Sequence, residues 1–191
     1  MAYGFFAMIS RMKYIDRWAL MRNTEKEGLD SHSMEVAVIA HALAVLGNTR
    51  LGKHYDADHA AVLGLYHDAH EILTGDMPTP VKYDNDALLA AYRSAEKNAA
   101  EKLLARLPED LRGEFAPLVR EEDDPELQAL VKAADRLSAL IKCIEERKAG
   151  NTEFREAERA TRERLTASGV PEVQIFMDEV LPAYEQTLDT L

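Results

Sequence analysis

Apolar positions recur at helical spacing along almost the whole chain, and the strict alternation of a half-buried strand is nearly absent. Residues 5–15 carry Phe5, Met8, Ile9, Met12 and Ile15 on one face, which predicts a first helix. The polar stretch 23–30 reads as loop. A second helix starts near Ser31, a suitable N-cap, with Glu35 in its first turn. Met34, Val36, Ala37, Val38, Ile39, Ala40, Leu43, Ala44 and Leu46 cover most of its surface, so it is expected to be central, with His41 as a core histidine. After a polar loop over 48–55, a third helix carries Val62, Leu63, Leu65, Tyr66, Ala69, Ile72 and Leu73 and ends at Gly75. Residues 76–80 read Asp-Met-Pro-Thr-Pro, a loop stiffened by two prolines. Beyond it lie an amphipathic helix over 84–107 and a short one over 111–119. A long helix follows, capped by Asp124 and opened by Pro125, and two more close the chain. The expectation is an all-α, single-domain helical bundle spanning residues 1–191.

Composition narrows the function classes. A formal charge of −11 disfavours a surface built to track a nucleic acid polymer or an anionic membrane. It leaves room for one small anionic ligand, because a metal and an arginine can reverse the field locally. The single cysteine, Cys143, permits no internal disulfide and fits a reducing compartment. The N-terminal stretch lacks the pattern of a signal peptide, and no apolar run is read as the ~20 residues of a membrane span. A cytoplasmic location is therefore expected.

Candidate chemistry concentrates in the third helix, where His67, Asp68, His70 and Glu71 interrupt the apolar pattern. On a regular helix, neighbouring side chains point about 100° apart. His67 and Asp68 would then converge only on something lodged between helices, and imidazole with carboxylate suits a divalent first-row metal. Glu71, one turn on from His67, would project beside such an ion. His32 stands at the start of the second helix. Asp135 stands among apolar residues of the long helix, where a free carboxylate is costly; a salt bridge to Lys132 or Lys142 and metal ligation both account for it. Arg17 and Trp18 read either as a phosphate fork beside an indole wall or as a surface charge beside a packing residue.

The order His32…His67-Asp68…Asp135 resembles the HD-domain metal-dependent phosphohydrolases. The segments HDAHEILTGDMPTPVKY, the RW pair and VKAADRLSALIKCIEERKAGNTEF are similar to the YfbR-type 5′-deoxynucleotidases, from about Phe5 to the final helix. That resemblance implies an HD-type bundle, a homodimer, and hydrolysis of deoxyribonucleoside 5′-monophosphates. It also implies a divalent metal, Co2+ being favoured and Mn2+ or another first-row ion possible. His32, His67, Asp68 and Asp135 would be its ligands, with His32 and Asp135 also beside the substrate. Glu71 and Arg17 would be catalytic: Glu71 moves or orients a proton and Arg17 neutralises the phosphate. Thr79 would help at the phosphate together with the backbone around Met77 and Pro78. Asp76 would accept from the 3′-hydroxyl, and Trp18 would press on C2′. Ser31 and His70 depart from the family, where a glutamate and a small residue are common. The rival readings are an HD hydrolase of nucleoside triphosphates or guanosine polyphosphates, a di-iron oxygenase, and a non-catalytic nucleotide-binding HD protein.

Overall fold

The computed structural model describes residues 2–191, and the fold is all-α: among these residues there is no strand, only one isolated antiparallel bridge between Asp16 and Gly28. Ten α-helices among the described residues run in the order α1 Phe5–Ile9, α2 Leu29–Arg50, α3 Ala57–Tyr66, α4 Glu71–Thr74, α5 Thr79–Lys82, α6 Asp86–Leu104, α7 Arg112–Arg120, α8 Pro125–Lys148, α9 Arg155–Thr166 and α10 Pro171–Glu179. The chain divides into two compact units. The first holds the chain up to Leu20, Lys26–Ser33 and Leu65–Asp123, and the second holds Met21–Glu25, Met34–Gly64 and Asp124–Leu191.

The first unit is organised around Phe5, Ala69, Ala100, Leu103, Leu104, Leu107 and Val119, all buried, with Tyr66 and Phe115 packed against them. Phe5 meets Phe115 edge-on, with ring centroids 5.3 Å apart. A second cluster joins Met12, Leu29 and Ile72. These two clusters fix the segment that matters for chemistry, because Ala69 and Ile72 flank His70 and Glu71. The α6 helix starts where the Asn85 side chain accepts the Leu88 N–H, a regular N-cap.

The third helix is not continuous. It stops at Tyr66, turns through 67–70, and resumes as α4. Ala69 N–H bonds to Tyr66 O, Glu71 N–H to Asp68 O and Leu73 N–H to His70 O, all three residues back rather than four. That tightened spacing rotates successive side chains differently from a regular helix. Gly75, at φ 75°, closes the segment in a backbone region that favours glycine. Other boundaries also move. The first helix covers only Phe5–Ile9, with a 3₁₀ turn over Met12–Tyr14. The second begins at Leu29 rather than Ser31, whose hydroxyl donates to Gly28 O, and it absorbs residues 48–50 of the expected loop.

In the second unit, α8 supplies the longest buried face, including Leu127, Leu130, Leu137, Leu140, Ile141 and Ile144. Asp124 caps it by accepting the Glu126 N–H. Buried Glu146 accepts from Lys142 Nζ at 2.6 Å, Thr24 N–H at 2.9 Å and Asn151 Nδ2 at 2.8 Å. Burial opposes its charge, but the Lys142 bond first, then Asn151 and Thr24, hold its pKa down at about 2. Lys142 also donates to Glu25 O, so it is committed to Glu146 and the 24–25 segment rather than to Asp135.

The α2 helix is less central than its composition suggests. Met34, Val38, His41 and Val45 are exposed along one face, and His41 Nε2 lies 3.7 Å from the exposed Asp58 instead of in a core. By length and composition α2 passes for a membrane span, contrary to the expectation that none would, yet half of its most apolar window is buried inside the protein. Gly64 marks its close approach to α3: a Cβ there would meet Ala37 Cα at 2.7 Å and Ala37 N at 2.9 Å. Backbone cannot swing aside as a side chain can. Gly64→Ala should therefore destabilise the protein by about 1–3 kcal/mol, measured by denaturant unfolding; a midpoint equal to wild type would refute that packing.

Candidate active site

The site grows from a short clamp on the chain before α2. Arg17 N–H bonds to Glu27 O and Leu29 N–H to Ile15 O, both at 2.9 Å. These bonds lay residues 15–17 against 27–29, beside the helix end that carries His32. Trp18 follows at φ 59°, a left-handed conformation that is uncommon for a bulky residue. Its backbone N–H bonds to the Asp76 carboxylate, and its indole Nε1–H donates to Glu27 Oε2 at 2.5 Å.

Asp68 is the centre. Its Oδ2 lies 2.9 Å from His67 Nε2, 3.6 Å from His32 Nε2 and 3.5 Å from Arg17 Nη1. Both imidazoles are buried, and their ring centroids are 5.3 Å apart. Burial alone would push Asp68 up, but His67, then His32 and the Arg17 guanidinium, hold its carboxyl well below the usual carboxylate range. The tightened turn explains the direct meeting of His67 with Asp68, which a regular helix would have splayed apart. Two imidazoles facing one ionised carboxylate oxygen form a donor set that fits a divalent first-row cation.

Glu71 has the opposite electrostatics. It is 6% exposed, and its Oε2 has no hydrogen-bond partner among the described residues. Burial first, then the Asp68 and Asp76 carboxylates, push its pKa up to about 10, against the weaker pull of Arg17 and Lys82. Burial likewise pushes the Asp76 carboxyl up, with Arg17 opposing. Two nearby carboxyls driven apart in pKa are the usual basis for dividing charge-holding from proton-holding. Asp68, His70 and Glu71 also offer atoms within 4.8 Å of one another, but His70 Nε2 is 3.5 Å from Glu96, which in turn accepts from Lys82 Nζ at 2.8 Å.

Arg17, Trp18, His32, His67, Asp68, Glu71 and Asp76 all lie within the first unit. Met77 and Pro78 are partly buried beside Asp76, and Thr79 is exposed at the start of α5. The 76–80 segment is therefore half helix, since Pro80 sits in the first turn of α5 where its missing N–H does no harm. Asp135 lies half-buried in the middle of α8, in the second unit. Sequence reasoning missed Glu27, which it left in a polar loop, and the Glu96–Lys82 pair behind His70. An acidic residue five positions before His32 was the only clue to the first.

A family model described as 5′-deoxynucleotidase YfbR-like matches residues 4–184. The 5′-deoxynucleotidase YfbR of Salmonella arizonae is 45% identical over 188 residues, covering 98% of this chain and 94% of the relative. The Escherichia coli protein of the same name gives the same identity and coverage. Among solved structures, an HD-domain phosphohydrolase from Listeria innocua superposes with a TM-score of 0.83 at 22% identity, over 94% of this chain and 87% of that one. The cyanophage S-2L HD phosphohydrolase DatZ, bound to dA and one catalytic Zn2+ ion, gives 0.62 at 21% identity, over 97% and 96%. These likenesses at low identity concern the fold.

Proposed function

This chain belongs to the 5′-deoxynucleotidase YfbR-like family, and from that premise we propose how its own residues hydrolyse deoxyribonucleoside 5′-monophosphates to deoxyribonucleoside and phosphate. The observation that supports the reading is the single Asp68 oxygen faced by His32, His67 and Arg17, with the proton-holding Glu71 one turn away. His32, His67 and Asp68 would hold a divalent metal, Co2+ or Mn2+ on the family resemblance, which also adds Asp135 as a ligand. The chemistry such an ion supplies is Lewis-acid polarisation of a phosphoryl oxygen and activation of water near neutral pH.

Arg17 neutralises the phosphate with the guanidinium that leans on Asp68, a charge-assisted contact of the kind phosphates favour. Glu71, protonated at neutral pH in the metal-free protein, is suited to hand its proton to the leaving 5′-oxygen. Asp76, tied to the Trp18 backbone, accepts from the 3′-hydroxyl. Met77, Pro78 and Thr79 border the same face, and Trp18 shuts out a 2′-hydroxyl. We take residues 1–191 as one catalytic domain acting as a cytoplasmic homodimer. Exposed Met34, Val38 and Val45 on α2 offer apolar area for a second copy, and light scattering tests the stoichiometry.

The deciding assay is phosphate release from dNMPs, NMPs and dNTPs by chelator-stripped, metal-reloaded protein. dAMP should be far better than AMP, with weak preference among bases and poor use of triphosphates. Equal kcat/KM for AMP and dAMP would sink the deoxynucleotidase reading. Trp18→Ala should lower kcat/KM on dAMP through lost packing yet narrow the dAMP/AMP ratio, because the clash goes with the indole. An undiminished ratio would move selectivity to the Asp76–Thr79 segment.

A further inference from the structure

Glu27 is a carboxylate whose side chain is 12% exposed, and its two oxygens face different groups. Oε1 lies 3.6 Å from His32 Nδ1. Oε2 accepts the Trp18 indole N–H at 2.5 Å and lies 3.6 Å from Arg17 Nε. Its backbone carbonyl accepts the Arg17 N–H as well. We propose that Glu27 is a positioning residue that sets His32 and Trp18 together, so that one carboxylate aligns a metal-binding imidazole and the wall that selects the sugar. The proposal rests on the site reading above and concerns a residue outside that set.

The His32 half follows from tautomer chemistry. A carboxylate facing Nδ1 holds the proton on that nitrogen, which leaves the Nε2 lone pair pointing toward Asp68. Without that partner the ring can carry its proton on either nitrogen or turn away, and a cation loses a prepared donor. The Trp18 half follows from conformation. A tryptophan at φ 59° persists only where its surroundings over-determine it. Here the Glu27 carboxylate holds the indole and the Asp76 carboxylate holds the backbone N–H of the same residue. Arg17 is fixed between them by its own N–H bond to Glu27 O. The indole therefore cannot move independently of the carboxylate that aligns His32.

Glu27→Gln and Glu27→Ala separate the two halves. In Glu27→Gln the amide oxygen still accepts the indole N–H, but the remaining amide nitrogen meets His32 Nδ1–H donor to donor. Metal affinity, measured on stripped protein by competition with a chromophoric chelator for Co2+, should fall roughly 10–100-fold. The dAMP/AMP ratio and acrylamide quenching of Trp18, the chain's single tryptophan, should stay near wild type. Glu27→Ala should show the same affinity loss together with stronger quenching and a dAMP/AMP ratio narrowed by about threefold or more. Wild-type metal affinity in Glu27→Gln overturns the His32 half. Unchanged quenching and ratio in Glu27→Ala overturn the Trp18 half. If Glu27→Ala does not fold, Glu27→Asp, whose shorter side chain withdraws from the indole, replaces it in the quenching arm. Should wild type itself ignore the 2′-hydroxyl, the deoxynucleotidase reading fails, while chelator competition and quenching of the metal-free protein still decide Glu27.

Discussion

Asp68→Ala should abolish phosphate release and strip the protein of metal while leaving its helicity intact. The expectation follows from how many groups share one oxygen. Removing the carboxylate deletes a charge faced by His67 at 2.9 Å, Arg17 at 3.5 Å and His32 at 3.6 Å. The two imidazoles and the Arg17 guanidinium are then left without the carboxylate they share, and the Arg17 charge is no longer offset by Asp68. A cation loses a ligand oxygen together with the charge that offsets Arg17, so the loss should exceed that of deleting a neutral ligand. The fold should survive, because the turn is held by Ala69 and Ile72 in the two apolar clusters rather than by Asp68. Asp68→Asn separates charge from shape: it should bind metal as poorly as the alanine variant with circular dichroism indistinguishable from wild type. Stoichiometric metal in purified Asp68→Ala, by elemental analysis, would remove Asp68 from the ligand set.

Much of this site was legible in the chain because chemistry and periodicity pointed the same way. His67, Asp68 and Glu71 are polar residues placed inside an apolar run, and burying such groups is costly without a purpose. The all-α architecture followed from the same spacing of apolar residues, and the capped start of α8 from Asp124-Pro125. What periodicity could not register was the local change of pitch at 67–70. Residues 62–73 satisfy the helical template whether their bonds reach back three residues or four, so the meeting of His67 with Asp68 was invisible. Composition misled at α2, since an apolar residue count does not say which neighbours will cover Met34, Val38 and Val45. Glu27 was hidden for a different reason. Its role depends on a two-bond clamp between residues 15–17 and 27–29 that leaves no pattern in either segment.

Glu71→Gln should slow turnover by at least ~10²-fold with little change in metal content, the usual size for losing a general acid or base. The same substitution has a second, independent signature in stability. A carboxyl whose folded pKa is pushed up to about 10 binds its proton more tightly folded than unfolded, where 4.5 is the reference value. The folded state then holds an extra proton between those values, so stability is full below the unfolded pKa and is lost as pH rises toward the folded one. Burial is the main cause, and the Asp68 and Asp76 charges add to it. An amide in place of the Glu71 carboxyl is isosteric, neutral at every pH and free of that liability. Metal-stripped wild type should therefore melt at progressively lower temperature from about pH 5 to about pH 9, while Glu71→Gln changes much less. At the alkaline end the variant should melt higher than wild type by roughly 5 °C or more. Scanning calorimetry across that range is the measurement. Coincident melting curves for the two proteins would show that Glu71 is ionised like a surface carboxylate, and the proton it is assigned to donate to the leaving oxygen would have to come from elsewhere.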